Sequence, residues 1–257
     1  NLKDPTLEGY DENNISRFYH VLAGRLLERS ALTNTQLLQY DQNIFSHTRR
    51  INERRERSVD WKYFQYLTLL FTEIYLDRYF ADRKALCNEL NEFLVAFNED
   101  LDLGDRVEPF TEACLSKIAF WSATGSGKTL LMHVHLLQYL YYARKHNRER
   151  DLNKIILITP NAGLSNQHLE EFQDSGIQAE IFSKDGGLNG DLFSGQLGSK
   201  PVEILEISKL REDSKEKTVA VESFEGNNLV LIDEGHRGAG GKVIKRYRDM
   251  LSQNGGF

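Results

Sequence analysis

Cysteine is almost missing from this chain: Cys87 and Cys114 are the only two in 257 residues. Two distant cysteines exclude a disulfide-stapled scaffold and form no metal or redox pattern, so a cytoplasmic setting is expected. Long apolar runs are missing as well. Nothing approaches the roughly 20 residues that cross a bilayer, and the polar, acid-containing start does not resemble a signal peptide, so no membrane partner is expected. A basic excess is the third absence. The formal net charge is −6, and residues 1–117 hold 15 Lys/Arg against 20 Asp/Glu, which leaves −1 for the remainder. That excludes a generally basic nucleic-acid binder; a nucleic acid would have to meet local patches. No internal repeat or low-complexity tract is present. What remains has the composition of a soluble globular protein, long enough to bury a core as one large domain or two modest ones.

Two regions differ in rhythm. From Asn13 to about Phe97 the apolar residues recur at helical spacing. Ile15, Tyr19, Leu22, Leu26 and Leu27 make one stripe, and 61–80 is apolar on several faces, as in a helix buried among others. Glu73, Asp77 and Arg78 interrupt that segment too early for a membrane span. An acidic stretch, Asn98 to Asp105, follows as a linker or exposed turn, and Pro109 closes the segment. From Lys117 onward short apolar runs alternate with helical stretches. Strands are expected at Ile118–Trp121, 154–159, 178–182, 202–207 and 229–232. Alternation of this kind implies a parallel sheet with helices on both faces. The expected fold class is therefore α/β, preceded by an all-helical region: residues 1–108 as a helical accessory region and 109–257 as the α/β domain.

The strongest chemical signal is Trp121-Ser-Ala-Thr-Gly-Ser-Gly-Lys-Thr129. An apolar run, a glycine turn and a helix start in that order form the context of a P-loop. Gly125 and Gly127 let the backbone curl so that successive N–H groups of Ala123, Thr124, Gly125, Ser126 and Gly127 can point at phosphate oxygens, beside the positive end of a helix. Lys128 is expected to reach the β and γ phosphates of ATP, and Thr129 to offer its hydroxyl to Mg²⁺. Ser122 stands where the general pattern begins with glycine. About a hundred residues on, Leu229-Val-Leu-Ile232 ends in Asp233-Glu-Gly-His236. Carboxylates at the C-terminal end of a buried parallel strand sit where ligands bind in doubly wound sheets. Asp233 is expected to hold the Mg²⁺ shell and Glu234 to orient and deprotonate the attacking water.

With the P-loop, the Leu157-Ile-Thr-Pro160 strand end and Asp233-Glu-Gly-His236 in order, residues 117–257 resemble the first RecA-like motor domain of superfamily-two helicases. The likeness is closest to the DEAD/DEAH-type helicase subunits of type III, and more loosely type I, restriction enzymes. Residues 1–116 carry no such likeness. The resemblance implies ATP-driven movement along nucleic acid, duplex DNA more than single strands, and a methyltransferase subunit as a possible partner. It puts His236 where ATP state is coupled to a second motor domain, and Thr159 and Pro160 on a segment that touches the nucleic-acid backbone. Gly235 departs from the usual third-position alanine without removing a ligand. Many helicases of this superfamily read adenine with a glutamine upstream of the P-loop; the nearest here is Gln65, well inside the helical region, so the resemblance assigns no adenine-reading residue. The sequence reaches Gly255-Gly-Phe257 before any Ser-Ala-Thr motif or second motor domain, so a fragment is expected: able to bind nucleotide, weak in turnover. An RNA helicase and a nucleotide-dependent switch that never translocates stay open as alternatives.

Lesser signals weigh less. Arg49, Arg50, Arg54, Arg55 and Arg57, expected on one helix with Glu53 and Glu56, fit a solvated face better than a phosphate-binding one. Lys242, Lys245, Arg246 and Arg248 could equally face DNA or the second domain. Asp82-Arg-Lys84 matches a loose acid-x-Lys nuclease fragment, but at a helix end, which argues for chance. His133 and His135 are spaced to point in different directions, which disfavours a metal pair.

Overall fold

The computed structural model describes residues 2–26, 32–182, 200–207, 226–233 and 257. The chain forms two compact units, 1–149 and 150–257.

The first unit is helical. Its helices are α1 (Arg17–Leu26), α2 (Asn34–Asn52), α3 (Tyr63–Ala81), α4 (Arg83–Glu99) and α5 (Lys128–Lys145). The sequence sets several of their boundaries. Thr33 and Gln36 form a reciprocal capping box at the start of α2, satisfying two backbone donors that the helix cannot. Asp82 ends α3 and caps α4, accepting from Ala85 N–H at 2.9 Å. That capping bond is the use the structure makes of the acid in Asp82-Arg-Lys84. The arginine cluster does not lie on one helix. α2 stops at Asn52, whose side chain bonds back to Val59 N–H at 2.9 Å and Val59 C=O at 3.3 Å, pinning 53–59 as a loop. Arg49 and Arg50 thus end α2, where their charge complements its dipole.

α3 packs against α2 and α5 and buries Tyr66, Leu69, Leu70, Leu76 and Tyr79, as expected for a helix apolar on several faces. Ile44 and Ile51 of α2, and Val134, Leu136 and Tyr142 of α5, are buried with them. At the centre lies a carboxylate. Glu73 of α3 is fully buried and accepts from Tyr142 Oη at 2.5 Å, Asn43 Nδ2 at 2.6 Å and Gln138 Nε2 at 2.7 Å. A second carboxylate, Asp77, takes Lys145 Nζ at 2.8 Å and Tyr40 Oη at 3.0 Å. A third, Asp41, accepts from Tyr66 Oη at 2.6 Å and Ser16 N–H at 3.0 Å. Buried polar groups are tolerated when every lone pair finds a donor, and these donors come from different helices.

The second unit is α/β. Its strands β1 (Ile155–Thr159), β2 (Ala179–Ile181), β3 (Val202–Glu206) and β4 (Leu229–Ile232) form one parallel sheet in the order β2-β3-β1-β4, with α6 (Ala162–Asp174) between β1 and β2 in the chain. The interior strand β1 is buried at all five positions, which explains its unbroken apolar sequence. Ile156, Ile158 and Leu205 form the core of the sheet. Four of the expected strands are thus present. The fifth is not: Ile118–Trp121 runs as non-strand backbone after a short 3-10 turn at Glu112–Ser116. Phe120 instead stacks on His135 of α5, ring centroids 4.2 Å apart, and Trp121 is 96 % exposed. Four apolar residues make a strand only where a neighbouring strand accepts them, and here an aromatic partner takes one of them.

Burial raises the Glu73 carboxyl to about 7 against the three donors that pull it down. The folded chain then holds a proton that the unfolded chain has already released above the ordinary carboxylate range, so this group makes stability fall as pH rises from about 4.5 to about 7. Glu73→Ala is expected to destabilise the helical unit by about 3 kcal/mol at pH 5, by leaving buried donors unpaired, and by less at pH 8. Urea unfolding followed by the fluorescence of buried Trp61 at the two pH values checks both. His47 and His135, held near 4 by burial, act in the opposite sense, and taking the difference between variant and wild type removes them.

Candidate functional site

The glycine-rich loop sits at the head of α5. Ser126 N–H donates to Ala123 C=O at 3.2 Å, closing a turn. Gly125 and Gly127 lie in the left-handed region, at φ 75° and 81°, where side chains with a Cβ are strained. Gly127 is the N-cap of α5, with no side chain capping it, the kind of helix start at which anions bind. Lys128 and Thr129 form its first turn. Ala123, Thr124 and Gly125 are exposed, and Ser126 through Thr129 are half-buried. An open turn with two left-handed glycines and an uncapped helix start is chemically suited to triphosphate oxygens.

One residue outside the motif shapes it. Gln65, in the first turn of α3, accepts from Lys62 N–H at 2.8 Å through Oε1 and donates from Nε2 to Ser126 C=O at 2.8 Å. The amide therefore clamps the loop against the start of α3. A Cβ on Gly127 would stand 2.7 Å from Gln65 Nε2, so this glycine is needed for both its φ and its space. In the sequence Gln65 stands out only as the nearest upstream glutamine; the contact depends on how α3 packs beside α5.

In the second unit, Asp233 follows directly on β4. Its N–H donates to Ile158 C=O at 3.2 Å, and register places it level with Thr159. Its Oδ2 bonds His168 Nε2 of α6 at 2.9 Å, with side-chain exposures of 18 % for Asp233 and 3 % for His168. No role for His168 is legible in the sequence; its one hint is spacing, since it shares the buried face of α6 with Ser165 and Phe172. Thr159 is fully buried, its hydroxyl 2.7 Å from Ser165 Oγ. Its side chain ties the end of β1 to α6. Pro160 beside it is half-buried, and Asn161, which caps α6 through Leu164 N–H at 3.0 Å, is exposed. Glu234, His236 and the basic residues at 242–248 lie outside the described residues.

The residues fit a magnesium nucleotide in kind. Among the described residues no group of three or more His, Cys, Asp or Glu side chains could hold a metal ion. An ion of the Mg²⁺ type takes one or two protein oxygens and the rest from phosphates and water. Thr129 and Asp233 supply oxygens of that kind.

A glycine turn of this shape before a helix, in a chain with a parallel α/β sheet, defines a P-loop NTPase. Residues 85–254, which are 170 of the 257, match the family described as type III restriction enzyme, res subunit. The chain belongs to that family, which is one of superfamily-two helicases, and carries its helicase-like ATPase domain. No curated protein and no solved structure matches the chain.

Gly127→Ala is expected to weaken ATP binding by about tenfold or more, because the added methyl both strains φ and displaces Gln65. Gln65→Ala should weaken it less, since the loop keeps its glycines. Titration of a fluorescent ATP analogue against both variants checks the order.

Proposed function

We propose that this chain is the ATP-binding and ATP-hydrolysing motor region of a DNA helicase or translocase, in a restriction or phage-defence system of the type III kind. Residues 109–257 form the motor region and 1–108 a helical accessory region. The observation that carries the proposal is the loop at Gly125–Gly127, held open at the head of α5 in a chain of this family.

The chemistry follows from the residue types. Backbone N–H groups from Ala123 to Gly127 hold phosphate oxygens, and Lys128 adds a positive charge at the β and γ phosphates. Thr129 and Asp233 would hold Mg²⁺, which when bound would supply positive charge against the transferred phosphoryl group. Glu234 orients the attacking water and accepts its proton. His236 couples ATP state to a second motor domain of the same protein, and an arginine from that domain would add about 10³–10⁵ in rate. The segment at Thr159 and Pro160, beside exposed Asn161, is the place for nucleic-acid contact, duplex DNA before single strands, and a methyltransferase subunit is the fitting partner.

Lys128→Ala is expected to weaken ATP binding about 10- to 100-fold, the value of a charge-assisted hydrogen bond or two. Glu234→Gln should bind ATP and lose about 10²–10⁴ in turnover. Both are measured on the full-length gene product, with duplex DNA, single-stranded DNA, RNA or no nucleic acid added. Stimulation by duplex DNA supports the proposal, whereas stimulation by RNA alone makes the protein an RNA helicase. ATP binding without stimulation by any of them makes it a switch.

A further inference from the structure

We infer that His168 is a positioning residue for the Asp233 carboxylate, fixing the direction of its oxygens and tying it to the start of α6. The inference rests on the metal role proposed for Asp233.

Burying a histidine is costly unless both ring nitrogens find partners. His168 is 3 % exposed, and its Nδ1 is buried with no hydrogen bond among the described residues. An unpaired buried nitrogen is a cost that a leucine at this position on α6 would avoid. What the imidazole gains in return is one bond, from Nε2 to Asp233 Oδ2 at 2.9 Å. An ionised carboxylate only accepts, so Nε2 carries the hydrogen. The bond fixes the plane of the carboxylate through one oxygen, and hence the direction of the other.

This bond also closes a ring of contacts around the end of β1. Asp233 N–H is held by Ile158 C=O at 3.2 Å. The next residue on that strand, Thr159, holds Ser165 on α6 through hydroxyls 2.7 Å apart. Ser165 lies one turn before His168, which returns to the Asp233 side chain. Backbone and side chain of Asp233 are thus anchored to adjacent residues of the same strand by two routes. A ligand carboxylate restrained in this manner meets its ion with little reorganisation, and outer partners of this type commonly change metal affinity about 10- to 100-fold. The second route runs through the N-terminal turn of α6, so anything that shifts Asn161–Ser165 also moves the carboxylate.

The test compares His168→Gln, His168→Asn and Asp233→Asn in the full-length protein. The glutamine amide nitrogen can reach the position of Nε2, whereas the asparagine nitrogen stops near Nδ1; the two variants differ little in polarity. The readout is the Mg²⁺ concentration that half-saturates binding of a fluorescent, non-hydrolysable ATP analogue, together with the analogue's affinity without metal. His168→Asn is expected to raise the Mg²⁺ requirement about tenfold, as for other outer partners of metal ligands, leave metal-free binding unchanged, and be largely rescued in His168→Gln. An unchanged Mg²⁺ requirement in His168→Asn, beside a large shift in Asp233→Asn, would overturn the role of His168 alone. Equal loss in both histidine variants would do the same, since packing and not the Nε2 bond would then be at work. No shift in Asp233→Asn would overturn the metal role of Asp233, and the inference with it.

Discussion

Everything that positions the glycine-rich loop depends on a carboxyl group buried among helices. Glu73 draws a tyrosine, an asparagine and a glutamine from α2 and α5 onto one carboxylate. Its cost is large, because burial alone drives it toward the neutral form. Directionality is the return: apolar packing would let α5 slide or turn against α3, but three donors converging on two oxygens permit one register. Two turns nearer its start, α3 then offers Gln65 to Ser126. One helix thus fixes both the axis of α5 and the shape of the turn that precedes it.

Much of this was legible in the residues, and what escaped did so for physical reasons. The all-round apolar pattern of 61–80 identified a buried helix, and the unbroken runs at 154–159 and 229–232 identified parallel strands, the first buried throughout and the second half-buried beyond Leu229, because period is a local property. The glycine turn was legible because positive φ demands glycine. Ile118–Trp121 misled for the converse reason: apolar character gives a segment a reason to be covered but does not say by what, and Phe120 found His135. Thr159 illustrates the same ambiguity for a polar residue, whose hydroxyl can serve a ligand or a neighbouring serine. Gln65 and His168 were beyond reach because each acts on a residue more than sixty positions away, and no period reports such a pairing.

The two units hold their functional groups by different means. In the helical unit the loop is shaped by backbone conformation and one side-chain amide, so an atom added at Gly127 would push on that amide. In the sheet unit Asp233 stands at the end of a short strand and is steadied by hydrogen bonds to β1 and α6. The first arrangement suits a flexible polyphosphate gripped by many weak donors; the second suits a single oxygen that must point one way.

The packing of α5 has a practical consequence for how this protein can be divided. Its buried residues, among them Leu131, Val134, Leu136, Tyr139 and Tyr142, belong to a core shared with α2 and α3. A shortened protein beginning at residue 109 would keep the whole glycine-rich motif yet bare that apolar side of α5, and with it the Tyr142 and Gln138 groups that Glu73 engages. Exposed surface of that kind invites self-association. The helical region is therefore half of the wall on which the nucleotide loop is built, and the smallest soluble unit that keeps the loop in shape must start upstream of α2.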